Sequence, residues 1–273
     1  MHRRLFDRFG HGIGLVVVIL CTLFPFYWML TSSFKAQTDI LSSPPVWLFE
    51  PTLQHHAAVW ADRTVVNAIG NSLIVALSVT VLATALGAPA AYALARFEFR
   101  AKRELWFWFL TNRMISPIVL ALPVFMLARQ LSILDTQLVL VLIYLTFTLP
   151  IVVWICTDQF RSIPRELEQA ARLEGASQFT IFHRIYVPLG LPGIAVSGIF
   201  SFIFAWNELL YALVLTRRDA VTGPVIATSF MAGYELPWGK IMATGTLIVL
   251  PVVVFALLVS RHMIRGLTMG ATK

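Results

Sequence analysis

Residues 137–188 read QLVLVLIYLTFTLPIVVWICTDQFRSIPRELEQAARLEGASQFTIFHRIYVP, and they change character twice. From Gln137 to Thr157 there is no charged side chain, a run of about the 20 apolar residues that a helix needs to cross a bilayer. Arg161, Arg165, Glu166, Glu168, Arg172, Glu174 and Arg184 then follow within one short segment, and apolar character returns at Ile185. The pattern is span, charged hairpin, span. Inside the hairpin, Pro164 suits a first helical turn, Glu166 and Glu168 favour the positive end of a helix, and Gly175 is a natural stop. Ser177 can cap a second helix in which Phe179, Phe182 and Ile185 recur at helical spacing and offer an apolar face. The first helix presents Leu167, Ala170 and Ala171 on one side, where small alanines admit close approach of a partner. Periodicity alone fits such a knob but fits more readily a helical loop without a partner.

Working outward, six stretches meet the length requirement: residues 13–33, 68–95, 105–128, 137–157, 185–215 and 241–262. The fifth is overlong and carries Pro188, Pro192 and Gly193 near its start, so its first turns are expected to lie along the interface. The expected fold is an all-α integral membrane bundle of six transmembrane helices, one domain over residues 1–273, with the hairpin at residues 161–184. Prolines recur within the spans at Pro25, Pro89, Pro117, Pro123, Pro150 and Pro251. Each removes a backbone hydrogen bond, which membrane helices tolerate where neighbours satisfy the freed carbonyl.

Loop charges set the expected orientation, because Lys and Arg of short loops stay on the cytoplasmic side. Fourteen lie at the amino terminus, in the second and fourth loops and in the carboxyl tail, whereas six lie on the opposite side. Both termini and the hairpin are therefore expected in the cytoplasm, with the chain multi-pass in its membrane. The stretch beginning at Gly12, behind Arg3, Arg4 and Arg8, lacks a small-x-small cleavage site and reads as a retained first helix. The Arg3-Arg4 pair is a weak match to a twin-arginine signal, since no soluble passenger follows.

Composition agrees. Of 273 residues, 58% are hydrophobic and 13% charged, and the mean hydropathy is +0.77, well away from the roughly one-quarter charged content of soluble domains. The net charge of +7 is spread between apolar runs rather than gathered in a patch, which favours a lipid surface and disfavours nucleic acid. Cys21 and Cys156 lie within apolar runs and form no disulfide or zinc framework. His55 and His56 are adjacent, poor geometry for one metal, and read as solvated loop histidines. No nucleophile, base and orienting acid occur together. Gly239-Lys240 is followed by Ile241, with Tyr234 where a phosphate loop needs its first glycine, so the chain has no such nucleotide site.

The hairpin closely resembles the EAA motif of ABC importer permeases: Glu-Ala-Ala, three residues, Gly, nine residues, Ile-x-Leu-Pro. Ala170, Ala171, Gly175, Ile185 and Pro188 fall at the motif positions, while Gln169 replaces the glutamate, beside Glu168, and Val187 replaces the leucine. The segments 25–35, Asn71-Ser72, 87–96, Leu134-Asp135-Thr136, 206–211 and 266–273 resemble the maltose-type sugar branch, specifically its shorter permease partner. The resemblance implies a type I importer permease of a bacterial inner membrane, a transport subunit and not an enzyme. Its EAA helix, with Glu166, Leu167, Glu168, Gln169, Ala170, Ala171, Leu173, Glu174 and Gly175, would couple to a separate ATPase, and Gly266, Thr268 and Lys273 of the tail would make a second contact. It further implies a second homologous permease, two ATPase subunits that bind ATP and Mg, an external solute-binding protein and a sugar substrate, with no cofactor in this chain.

Polar residues within the spans are the remaining candidates. Arg113, beside Asn112, reads either as a pore-lining or interface donor or as an arginine snorkelling to the near interface. Asn207 and Glu208, with Trp206 and Tyr211, could hydrogen-bond sugar hydroxyls while the aromatic faces stack on the ring, or could pack helices together. Rival cargoes for the same machine are a polyol, a glycerophosphate ester or a peptide. An ion-coupled carrier would need intramembrane carboxylates, and only Glu208 qualifies.

Overall fold

The computed structural model describes residues 2–112, 114–232 and 236–270, and among these there is no strand. In chain order the helices are α1 (His2–Ser33), α2 (Gln37–Ile40), α3 (Gln54–Ala61), α4 (Arg63–Arg96), α5 (Lys102–Asn112), α6 (Pro117–Gln130), α7 (Gln137–Arg161) and α8 (Arg165–Leu173). Then follow α9 (Gln178–Ile181), a π turn (Phe182–Tyr186), α10 (Val187–Trp206), α11 (Leu210–Leu215), α12 (Gly223–Ser229), a 3-10 turn (Phe230–Ala232) and α13 (Trp238–Gly270). Among the described residues, five helical runs are long and apolar enough to cross a membrane: Gly14–Ser33, Arg63–Arg96, Gln137–Arg161, Gln178–Trp206 and Trp238–Leu257.

The third expected span, 105–128, is broken. Pro117 opens α6 and disfavours the helical region for Ser116, which is extended at ψ 128°. The 14 residues of α6 cover about 21 Å at about 1.5 Å per residue, less than the roughly 30 Å hydrocarbon core, so α6 alone is too short. The fifth expected span, 185–215, is corrected at both ends. At its start, helix already begins at Gln178 and runs without interruption to Trp206, 29 residues. Pro188 has no N–H to continue an α-helical ladder, and the chain widens into a π turn just before it, where the Val187 N–H reaches back five residues to the Phe182 carbonyl. At the other end, Asn207 to Leu209 leave the helix before α11 begins.

The chain divides into two compact units. In the unit of Asn67–Ile226 and Pro251–Lys273, α10 packs extensively on α7. Gly193 permits this: a Cβ there would lie 2.7 Å from both Cβ and Cγ of Gln159. One buried cluster gathers Val79, Leu140, Tyr144, Phe202, Trp206 and Leu215, with Phe255 stacked on Phe202 at 4.0 Å. A second gathers Tyr92, Cys156, Phe160, Ile181 and Tyr186. Thr136 caps α7, its hydroxyl accepting from Val139 N at 3.3 Å.

In the unit of Met1–Val66 and Ala227–Leu250, Lys35 is only 2% exposed. Its ammonium donates to the Val46 carbonyl at 2.7 Å and lies over the rings of Trp28 and Phe49, at 4.6 and 5.1 Å. Such a desolvated cation is held by ring quadrupoles as well as by its hydrogen bond. His55 and His56 are not solvated as expected. Their Nε2 atoms meet the Lys35 carbonyl at 2.9 Å and Ser33 Oγ at 3.1 Å, and burial, with His55 second, holds His56 below the ordinary imidazole range. Lys240 pairs with Asp62 at 2.7 Å, chiefly through that hydrogen bond keeping the Asp62 carboxyl below its usual range.

Candidate functional site

The hairpin forms as the sequence predicts. Gly175 adopts φ +82°, a left-handed conformation that glycine reaches without penalty. The turn closes with Gly175 N donating to Arg172 O at 3.0 Å and Ala176 N to Ala171 O at 2.9 Å, the paired bonds of a Schellman stop. Ser177 Oγ accepts from Thr180 N at 3.2 Å and starts α9. The expected apolar face is shifted, however. Phe179 is 71% exposed, and the inward set is Ile181, Phe182, Ile185 and Tyr186. Positions five apart lie about 140° apart on an α-helix. The π turn closes a turn with five residues and so brings Ile181 and Tyr186 to one face.

Among the EAA residues, Glu166, Leu167, Gln169, Ala170, Leu173, Glu174 and Gly175 are exposed, with Leu173 at 90%, while Ala171 is half-buried. Glu168 differs: it is 8% exposed and faces the bundle, accepting from Tyr186 Oη at 2.8 Å and from Arg172 Nη2 at 2.5 Å. The Gln178 amide joins them when its oxygen faces Arg172 Nη2, at 2.6 Å, and its nitrogen faces Tyr92 Oη, at 3.0 Å. Arg96, at the end of α4, donates to the Phe160 and Ile163 carbonyls and lies 4.8 Å over the Tyr186 ring. It thereby satisfies carbonyls at the negative end of α7. Sequence reasoning missed Tyr186 and Arg96, because their partners lie in other helices.

A cavity of about 440 Å³ opens where the two helix interruptions meet. Asn112 and Ile115 line it from beside the α5–α6 break, Asn207, Glu208 and Leu209 from the α10–α11 break, and Thr146 and Phe147 from the middle of α7. Asn112 Nδ2 donates to Thr146 O at 2.8 Å, and Asn207 Nδ2 to Ile203 O at 2.8 Å. Both Glu208 oxygens accept from Tyr211 N, at 3.0 and 3.1 Å, and one also accepts from Ala212 N at 3.2 Å, so this carboxylate caps α11. Tyr211 stacks on Phe147 with ring centroids 6.4 Å apart and planes 9° from parallel. Amide, hydroxyl and carboxylate groups beside aromatic faces are the chemistry that holds a polyhydroxylated ring. Within a bilayer, unwound backbone is tolerated where it lines a cavity.

The structure thus brings together Asn112, Asn207, Glu208 and Tyr211, and adds Thr146, Phe147 and Phe204. Trp206 is corrected: it is 1% exposed, stacks on Phe202 at 5.6 Å and belongs to the core. Arg113 and Lys273 lie outside the described residues. Gly266 and Thr268 fall within the backbone of α13, and their side chains are outside the described ones.

Beyond α11, residues 216–223 are held by a clasp built from the other quoted motifs. Asp135, at φ 57°, accepts from the backbone N–H groups of Arg217, Arg218, Asp219 and Ala220 at 3.0–3.1 Å. Burial alone would raise its carboxyl, but these four donors outweigh it and hold the group below the ordinary carboxylate range. Asn71 donates to Asp219 O and Val221 O, and Ser72 Oγ accepts from Gly223 N at 2.8 Å.

Comparison with known proteins follows the same lines. The family described as "Binding-protein-dependent transport system inner membrane component" matches residues 83–269. The trehalose transport system permease protein SugB of Mycobacterium tuberculosis is 37% identical over 260 residues, 94% of each chain. The trehalose/maltose transport system permease protein MalG of Thermococcus litoralis is 33% identical over 277 residues, 100% of this chain and 99% of its own. Among solved structures, a chain of a bacterial ABC transporter involved in import of the acidic polysaccharide alginate superposes with a TM-score of 0.76 at 21% identity, covering 94% of this chain and 96% of that one. At that identity the likeness speaks for the fold. The chain belongs to the family of binding-protein-dependent transport system inner membrane components, the permease subunits of ABC importers.

Proposed function

We propose that this chain is one of two homologous permease halves of an ATP-driven sugar importer, with α8 as its coupling helix on the cytoplasmic side. Two separate ATPase subunits bind ATP and Mg and grip the exposed face of α8. An external solute-binding protein delivers the sugar, and the cavity between Asn112, Thr146, Asn207 and Glu208 is part of its path. The observation that carries this reading is a single helical run: Gln178–Trp206 starts beside the α8 hairpin and ends at Asn207 and Glu208 in the cavity. Force applied at one end reaches the other through one continuous helical element of about 43 Å. The named sugars of the relatives, trehalose and maltose, support a di- or oligosaccharide cargo. Both termini are assigned to the cytoplasm from loop charge, and the tail from Gly266 onward to the ATPase side.

The test is to co-purify the chain with the products of its neighbouring genes and to measure ATP hydrolysis in proteoliposomes. The reading predicts that hydrolysis rises with sugar-loaded binding protein and not with a polyol, glycerophosphate ester or peptide. Solute movement by the chain alone, driven by an ion gradient, would refute it.

A further inference from the structure

The hairpin contains a polar junction that the coupling reading does not use. Glu168 is the one carboxylate of α8 turned inward, and its two oxygens are divided between different elements, Arg172 on its own helix and Tyr186 on the next. The Tyr186 ring is fully buried, packed against Tyr92 at 4.7 Å and Phe160 at 5.8 Å and covered by Arg96. It is therefore a fixed post standing in the bundle, and only the π turn places it on the α8 side. The Schellman turn between the two residues is held only by its own two backbone bonds and is not braced from outside at Gly175, where nothing beyond the adjoining residues lies within 4 Å of where a Cβ would stand.

We infer that Glu168 and Tyr186 are positioning residues, a strut across the hairpin that makes α8 and the root of α10 move as one body. The strut rests on the reading of α8 as the coupling helix, and it says how the stroke crosses a turn that glycine would otherwise leave compliant. It also separates the roles of two adjacent motif residues. Gln169, exposed, meets the partner, whereas Glu168 faces the chain's own bundle and does not stand in for the missing motif glutamate.

The test compares Tyr186→Phe, Glu168→Ala and the double variant in the complete reconstituted transporter, reading sugar moved per ATP hydrolysed. A hydrogen bond to a charged group corresponds to about a tenfold change or more, so Tyr186→Phe is expected to lower that ratio by about tenfold. The double variant is expected to lower it no further than Glu168→Ala alone, since both changes remove the same link. Amide hydrogen exchange supplies a second readout: α8 amides should exchange about tenfold faster in Tyr186→Phe, with α7 unchanged. A wild-type ratio and wild-type α8 exchange in Tyr186→Phe would overturn the strut. If Gly175→Pro uncouples the same preparation, the coupling reading survives that result; if Gly175→Pro also leaves uptake intact, the coupling reading falls first.

Discussion

Replacing Gly175 tests the hairpin through its backbone alone. At φ +82° an L-residue costs about 1–2 kcal/mol relative to glycine, and no atom lies within 4 Å of the new Cβ to add a steric term. Gly175→Ala should therefore disfavour the closed turn by roughly 5- to 30-fold, Gly175→Asn by less, and Gly175→Val by more. Gly175→Pro cannot reach this conformation and also loses the N–H that bonds Arg172 O, a cost of about 3 kcal/mol or more. ATP-driven uptake into proteoliposomes, normalised to the amount of inserted chain, should fall in the order Asn, Ala, Val, Pro. The chain should still reach the membrane, because the turn is exposed and its spans are untouched. Equal uptake by wild type, Val and Pro variants would refute the requirement for this turn.

The remaining predictions concern the clasp, the α7–α10 contact and the cavity. Asp135→Ala removes the acceptor of four N–H groups and should destabilise the chain by about 1–3 kcal/mol in a detergent melt, with Asp135→Asn milder because asparagine tolerates the same backbone angle. Since the folded Asp135 carboxyl titrates below its unfolded value, its contribution is complete above about pH 4 and is lost as pH falls through the folded pKa. Melts from pH 6 down to pH 3 should thus converge for wild type and Asp135→Asn. Gly193→Ala forces a Cβ against Gln159 and should cost about 1–3 kcal/mol by the same melt. Glu208→Gln should reduce sugar uptake more than it reduces the inserted chain; equal reductions would remove Glu208 from the path.

How much was legible in the sequence depended on the range of the interaction involved. Gly175, Ser177 and the uncharged run of α7 act within one turn or one helix, and they formed as read. The break before Pro117 carried a local signal, but a hydropathy window averages across a short interruption and joined α5 to α6. The π turn, which ends just before Pro188, escaped because a regular α-helical period was read through it, and Phe179 lies off the expected face. Trp206 and Tyr211 look alike as aromatic neighbours of Glu208. Tertiary packing alone sends Trp206 onto Phe202 and sets Tyr211, itself buried against Phe147, into the cavity wall. Asp135 and Asn71 stood in quoted motifs, yet their bonds reach 82–85 and 148–150 residues along the chain, where no spacing rule operates.

The proposal that a separate ATPase drives this bundle by gripping α8 is tested most directly at Leu173, the open apolar tip of that helix. In a complex purified with its ATPase, Leu173→Cys should form a reversible cross-link to a cysteine placed in the ATPase surface groove. ATP-driven sugar uptake should stop on cross-linking and return on reduction. A cross-linked complex that still transports, or no cross-link at any groove position, would contradict it.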